Sequence, residues 1–343
     1  LARSEHIYTA RTLMEVVHHL RGDKCLPKAL AQIDFIDAPM LDMADVRGQQ
    51  SARRAMEIAA AGGHHILLIG SPGCGKTLLA SRLPGILPMA SDEEAIESAA
   101  IASVSGRGLD LTRFRQRPFR SPHHTSSAVA LAGGGTQPKP GEISLAHNGV
   151  LFLDELAEWD RKSLEVLRQP LESGTVSISR ASNTAEFPAR FQLVAAMNPC
   201  PCGWFGDNSG RCRCTADAIE RYRGKLSGPL LDRIDIHLAM SRISHEELHL
   251  NAPQGECSAV IRARVIRARD RQRQLSGVCN AHLSQSQLKQ HCQLNDGNQH
   301  LLDQAMNALQ LSARATYRIL RVARTIADLA DSANIETPHL TEA

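Results

Sequence analysis

The sequence predicts an α/β fold, with helices flanking a parallel sheet and a small C-terminal helical lid domain beyond it. Three stretches carry that expectation. The first is Gly70-Ser71-Pro72-Gly73-Cys74-Gly75-Lys76-Thr77, a complete G-x-x-x-x-G-K-T sequence between the apolar run His65–Ile69 and the helix-compatible Leu78–Arg82. The second is Val150–Leu153 running into Asp154-Glu155, and the third is Phe191–Met197 running into Asn198. Short apolar runs that end in polar residues read as strands buried on both faces, as a parallel sheet requires.

A glycine-rich turn between a strand and a helix start aims backbone N–H groups and the helix dipole at phosphate oxygens. Gly70, Ser71, Pro72, Gly73, Cys74, Gly75, Lys76, Thr77 and Leu78 are therefore the expected nucleotide cradle. Lys76 would reach the β- and γ-phosphates and Thr77 would hold Mg2+. Asp154 is placed to act on magnesium through water, and Glu155 to orient and activate the attacking water. Adjacent acids can also simply open a helix, and an asparagine at a strand end is usually a turn former. Upstream of Asp154 and Asn198, however, stands a complete phosphate loop, so ATP hydrolysis is expected, with Asn198 holding the water near the γ-phosphate.

With 343 residues the chain can bury a large α/β unit and a smaller domain. The formal charge of +3, from 39 basic and 36 acidic residues, neither requires nor excludes nucleic acid, so the distribution of charge must decide. No run of about 20 apolar residues occurs and no charged-then-apolar leader opens the chain. A cytoplasmic, non-membrane protein is expected. The chain begins at Leu1 rather than Met, which suggests a segment of a longer protein.

In chain order, residues 1–24 read as a linker helix around Thr12–Leu20 that stops at Gly22. Residues 25–250 form the nucleotide-binding unit. Within it Gly48–Ala61 is a helix stopped by Gly62-Gly63, and Val46 and Gly48 either touch adenine or pack in the core. Ser91-Asp92-Glu93-Glu94 opens another helix. Residues 107–145 are an irregular basic stretch with Arg113, Arg115, Arg117 and Arg120, suited to a loop facing nucleic acid in a pore or merely to solvent. Arg161–Gln169 is helical and ended by Pro170. Residues 172–181 resemble a hairpin turning at Ser173-Gly174, with Arg180 meeting a phosphate or a surface carboxylate.

Cys200, Cys202, Cys212 and Cys214 form two C-x-C pairs within a loop at 198–215, and such pairs can converge on one structural zinc ion, Zn2+. Reduced thiols and redox chemistry are the alternatives. Arg233 precedes a strand at the far edge of the sheet, where it either reaches a neighbouring subunit's γ-phosphate or pairs with Asp232 or Asp235. Residues 251–343 form the helical lid. The six arginines from Arg262 to Arg273 spread around one helix and describe a partly solvated surface, with a phosphate-facing one as the alternative. Ser312 caps a last long helix whose first turn offers Arg314 to the nucleotide.

Taken together, Val46-Arg47-Gly48-Gln49, Gly70–Thr77, Ser121-Pro122-His123-His124-Thr125, Pro140–Glu155 and Asn198-Pro199-Cys200-Pro201-Cys202-Gly203 resemble the magnesium-chelatase-like AAA+ ATPases of the ComM/YifB-like group, over residues 25–343. That resemblance implies a homo-hexameric ring with Lys76, Thr77, Asp154, Glu155 and Asn198 in one subunit and Arg233 supplied across the interface, while Arg314 matches the family's second sensor. It implies that the 107–145 insert and the 172–181 hairpin point into a central pore, and that a Lon-protease-like N-terminal domain belongs upstream. The implied activity is that of a DNA helicase promoting branch migration during natural transformation, acting on single-stranded and branched DNA. A chelatase-like or chaperone-like ATPase that remodels a protein partner is the alternative.

Overall fold

The computed structural model describes residues 7–28, 40–106, 108, 110–135, 138–179, 184–207, 210–242 and 255–343. Nine strands follow one another along these residues: β1 Ile66–Gly70, β2 Phe119–Arg120, β3 Gly133–Gly134, β4 Lys139–Pro140, β5 Val150–Leu153, β6 Thr175–Ser179, β7 Thr184–Pro188, β8 Gln192–Met197 and β9 Ile236–Met240. Five of them form one sheet in the order β2-β5-β8-β1-β9, with every pairing parallel. The register sets Ile69 beside Met197 and Gly70 beside Met240, so neighbouring strands end at one level. Because β8 is inserted between β1 and β5, the residue after β8 falls between the phosphate loop and the acid pair.

Side-chain alternation divides the core into two layers. Ile66, Leu68, Val150, Phe152, Val194 and Ala196 pack with the Gln50–Gly62 and Ser258–Ser276 helices. Leu67, Leu151, Leu153, Leu193 and Ala195 pack on the other face with Trp159, Tyr222 and Leu230. Small residues on the Gln50–Gly62 helix, Ala59, Ala60 and Ala61 among them, are fully buried and let it lie close to the sheet.

The C-terminal helices Gln285–His291, Asp296–Leu309, Ala313–Leu329 and Thr337–Glu342 enclose a core of their own around Leu288, Leu302, Ala323, Ala327 and Leu340. Ile58, Val322 and Ile326 seat it on the sheet unit. Ser312 Oγ accepts from the Ala315 amide and opens the Ala313–Leu329 helix.

The N-terminal edge of the sheet carries a buried polar network that no sequence motif announced. His64 bridges Asp235 Oδ2 (3.3 Å) and Thr325 Oγ1 (2.8 Å), joining the two units. Gln192 Nε2 donates to Ala59 O and His64 O, and the Leu193 amide donates to His65 Nδ1. Burial pushes the His65 imidazole down to about 4, keeping it neutral. Burial raises the Asp235 carboxyl, but the hydrogen bond from His64, the charges of the two histidines and the His65 amide together outweigh it and hold the group below its ordinary value.

Two local expectations are corrected. Ser173-Gly174 is not a hairpin turn: Arg168–Ser173 is a helix, ended at Gly174 with φ +70°. The hairpin pairs β6 with β7, so its connection spans 180–183, outside the described residues together with Arg180. Pro170 does not end a helix either. It sits in the first turn of that same helix, where a missing N–H costs no intrahelical bond.

Of the six arginines on the Ser258–Ser276 helix, four turn inward or across to other elements. Arg262 donates to Gly85 O, Arg264 pairs with Glu57 and Glu256, Arg269 donates to Ala60 O, and Arg271 pairs with Asp331.

Candidate active site

The phosphate loop leaves β1 at Gly70, where side-chain space is already taken: a Cβ would stand 2.7 Å from Cys74 Sγ and 2.9 Å from Met240 O. Gly75 turns the chain into the Lys76–Ala80 helix at φ +93°, a conformation that side-chain-bearing residues avoid. Gln49 ties this loop to the sheet by donating Nε2 to Cys74 O and to Ser241 O after β9.

Lys76 Nζ donates to Gly70 O (2.7 Å), Ser71 O (3.1 Å) and Asn198 Oδ1 (3.2 Å). The ammonium therefore sits at the loop's centre, linked to the strand that separates β1 from β5. Thr77 Oγ1 donates to Asp154 Oδ2 at 2.7 Å. This contact sets the hydroxyl expected to ligate Mg2+ beside the carboxylate expected to act on the ion through water. Residues expected from three separate stretches of the sequence thus form two hydrogen-bonded pairs, side by side because Lys76 and Thr77 are adjacent.

Glu155 lies one residue beyond, at φ +51°, in a left-handed conformation uncommon for a residue with a side chain. Its side chain is 51% exposed and meets His124 Nδ1 at 2.9 Å. His124 was visible in the sequence only as part of Ser121–Thr125; nothing in its spacing marked it as the partner of Glu155. Trp159 Nε1 donates to Asp154 O and fixes the turn after the acids.

The arginines are placed otherwise. Arg233 is ion-paired with Glu172 and donates to Pro229 O, whereas Asp235 goes to His64 and Asp232 faces Arg318. Arg314 is exposed, one turn before Arg318, which donates to Leu231 O and Ile234 O. Arg113 and Arg115 pair with Asp110 and Asp92, Arg117 with Glu94, and Arg120 with Glu142.

Beyond Asn198 the chain enters the cysteine loop. The Sγ atoms of Cys200, Cys202, Cys212 and Cys214 all lie within 4.8 Å of one another. Three of the separations are 3.4, 3.9 and 3.7 Å. Ligands at about 2.3 Å in a tetrahedron stand about 3.8 Å apart, so the four thiols fit a metal of the zinc type. The Phe205 amide donates to Cys200 Sγ. The Trp204 amide, with the Arg213 amide and the neighbouring Cys200 and Cys214 thiols, lowers Cys202 to about 6.

Residues 42–248 match the family described as magnesium chelatase, subunit ChlI, and residues 255–343 match its C-terminal counterpart. This chain belongs to the magnesium-chelatase-like AAA+ ATPase family. It is 48% identical to the competence protein ComM of Haemophilus influenzae over 348 aligned positions, covering 100% of this chain and 68% of that protein. It is 46% identical to the uncharacterised protein YifB of Escherichia coli, covering 100% of this chain and 67% of the relative. An MCM-type protein of Methanocaldococcus jannaschii is 27% identical over 188 residues, 54% of this chain and 21% of that protein. The chain thus spans about two thirds of the first two relatives. Membership in the magnesium-chelatase-like family supports ATP hydrolysis and implies ATP and Mg2+ as ligands. No helix among the described residues is long and apolar enough to cross a membrane.

Proposed function

We propose that this chain is the motor of a ring-forming, cytoplasmic ATP-dependent DNA helicase that moves branch points in recombination intermediates during natural transformation. The observation that carries the ATPase part is the set Lys76–Asn198 and Thr77–Asp154, with Glu155 beside it. Lys76 would hold the γ-phosphate, Thr77 would ligate Mg2+ and Asp154 would act on the ion through water, and the bound ion would supply charge neutralisation at the phosphate. Glu155 takes the proton of the attacking water once released by His124, and Asn198 orients that water. Arg233 reaches the γ-phosphate of a neighbouring subunit in a homo-hexamer after parting from Glu172, and Arg314 closes over the nucleotide from the lid. The name of the ComM relative and the MCM-type relative favour DNA over a protein partner as the substrate. The four cysteines hold structural zinc that braces the loop behind Asn198.

The test is ATP turnover by the purified protein with and without single-stranded and forked DNA, alongside its mass in solution with ATP. DNA-stimulated turnover in a hexamer supports the motor. A hexamer that hydrolyses ATP yet ignores DNA would move the reading to remodelling of a protein partner. Elemental analysis should find one zinc per chain, lost in Cys202→Ser/Cys212→Ser.

A further inference from the structure

We propose that the cysteine-held loop is itself a single-stranded DNA contact, made by Arg211, Arg223 and Arg242 around Trp204 and Phe205, and that it bears directly on the phosphate loop. The inference rests on the DNA-motor reading and assigns that motor a contact outside the basic insert and the hairpin. Its first support is the distribution of paired charge. In the sheet unit Arg54, Arg82, Arg113, Arg115, Arg117, Arg120 and Arg233 are drawn into ion pairs, whereas among the described residues the exposed Arg161, Arg190, Arg213 and Arg221 are not, so the patch is distinguished by its aromatic partners. Among the described residues no carboxylate pairs with Arg211, Arg223 or Arg242; their partners are aromatic rings and one carbonyl.

The geometry groups them. Arg211 Cζ lies 5.0 Å from the Trp204 ring centroid and Arg242 Cζ lies 5.9 Å from the same centroid. Arg223 Cζ lies 5.2 Å from the adjacent Phe205 ring. A guanidinium lying on an aromatic face keeps its N–H edge available, and that edge matches the oxygens of a phosphate diester. Phe205 is 45% exposed, an apolar ring at the surface amid these cations. A π-face beside several guanidiniums suits a base stacked next to its own backbone phosphates, a pairing that tolerates any sequence. Convergence of the four thiols holds the loop in place beforehand, which lowers the ordering cost of binding.

The same loop touches the nucleotide machinery. Gly203, between Cys202 and Trp204, is packed so closely that a Cβ would stand 2.7 Å from Pro72 Cδ and 3.8 Å from Asn198 Cγ. Displacement of Trp204 or Phe205 by a DNA strand is therefore passed through Gly203 to Pro72 in the phosphate loop and to Asn198 on Lys76. Stimulation of hydrolysis by DNA would start at this contact.

The experiment is fluorescence anisotropy of a labelled oligothymidine of about 30 nucleotides, bound by the whole protein over a series of salt concentrations. The triple variant Arg211→Gln/Arg223→Gln/Arg242→Gln should bind at least about ten-fold more weakly, and its log-affinity against log-salt slope should shrink by about 2, from three lost single-strand phosphate contacts. Arg168→Gln, outside the insert, the hairpin and the patch, should leave affinity within about two-fold, because that side chain is already paired with Glu165. A metal content and circular dichroism equal to the parent's establish that the triple variant is folded. If the parent binds and the folded triple variant matches it in affinity and slope, the patch is not a DNA contact while the motor reading stands. If the variant keeps the parent's slope but loses ring assembly, the patch is a subunit interface and the proposal falls. A parent protein that binds no DNA at any salt concentration removes both.

Discussion

The two edges of the parallel sheet are built from similar parts and differ in what water can reach. At the C-terminal edge Lys76, Thr77, Asp154 and Asn198 join three strand ends by short polar contacts, and Thr77 and Asp154 remain accessible to solvent. At the N-terminal edge His64, His65, Gln192 and Asp235 join the starts of three strands, and His64, His65 and Gln192 are buried. Accessible contacts can be exchanged for phosphate, metal and water with little loss, whereas buried contacts that break leave unsatisfied groups in the core. The first edge is therefore fit for chemistry and the second for holding the lid on the sheet unit through Thr325.

Loss of the ammonium should separate the two edges most. Lys76→Ala should lower ATP turnover by about 100-fold or more, since the phosphate clamp is removed, with a smaller loss of stability from its buried bonds to Gly70 O and Ser71 O. Equal loss of stability and turnover would mean that Lys76 is structural. At the other edge His64→Ala should cost on the order of 2 to 3 kcal/mol by leaving Asp235 and Thr325 without their shared partner, read as a lowered denaturant midpoint. A variant as stable as the parent would remove the distinction between the edges.

Acid sharpens the same contrast. His65 is neutral in the fold with a value of about 4 against an ordinary 6.5, so the unfolded chain takes up the proton first. Stability should thus fall as pH drops from about 6.5 through about 4, by up to on the order of 3 kcal/mol, and stay level above. His65→Gln should flatten that slope in a pH series of denaturant melts. The smallest effect belongs to His124. His124→Ala should change basal hydrolysis by less than about ten-fold, because it holds Glu155 without touching phosphate, and should alter the response of turnover to DNA more than the basal rate.

The nucleotide edge was legible in the sequence because its residues are fixed by local geometry. A glycine turn into a helix needs Gly70 and Gly75, and strands buried on both faces end visibly where Asp154 and Asn198 begin. The cysteine loop was legible for the same reason, since four thiols within one short loop can scarcely avoid one another. The buried network was not, because His64, Gln192, Asp235 and Thr325 are separated by up to 261 positions and meet only through topology. Arg233 with Glu172 was missed on the same ground, and the hairpin was misplaced because Gly174 serves a helix end as readily as a turn.

Multiple-turnover ATP hydrolysis by the wild-type chain and by Glu155→Gln, measured together with ATP binding, tests most directly whether the C-terminal edge of the sheet is a hydrolytic site. Repeated turnover by the wild type, with binding kept and turnover reduced by about 100-fold or more in the variant, is the outcome this account predicts. Binding without turnover in the wild type, or unimpaired turnover in Glu155→Gln, would contradict it.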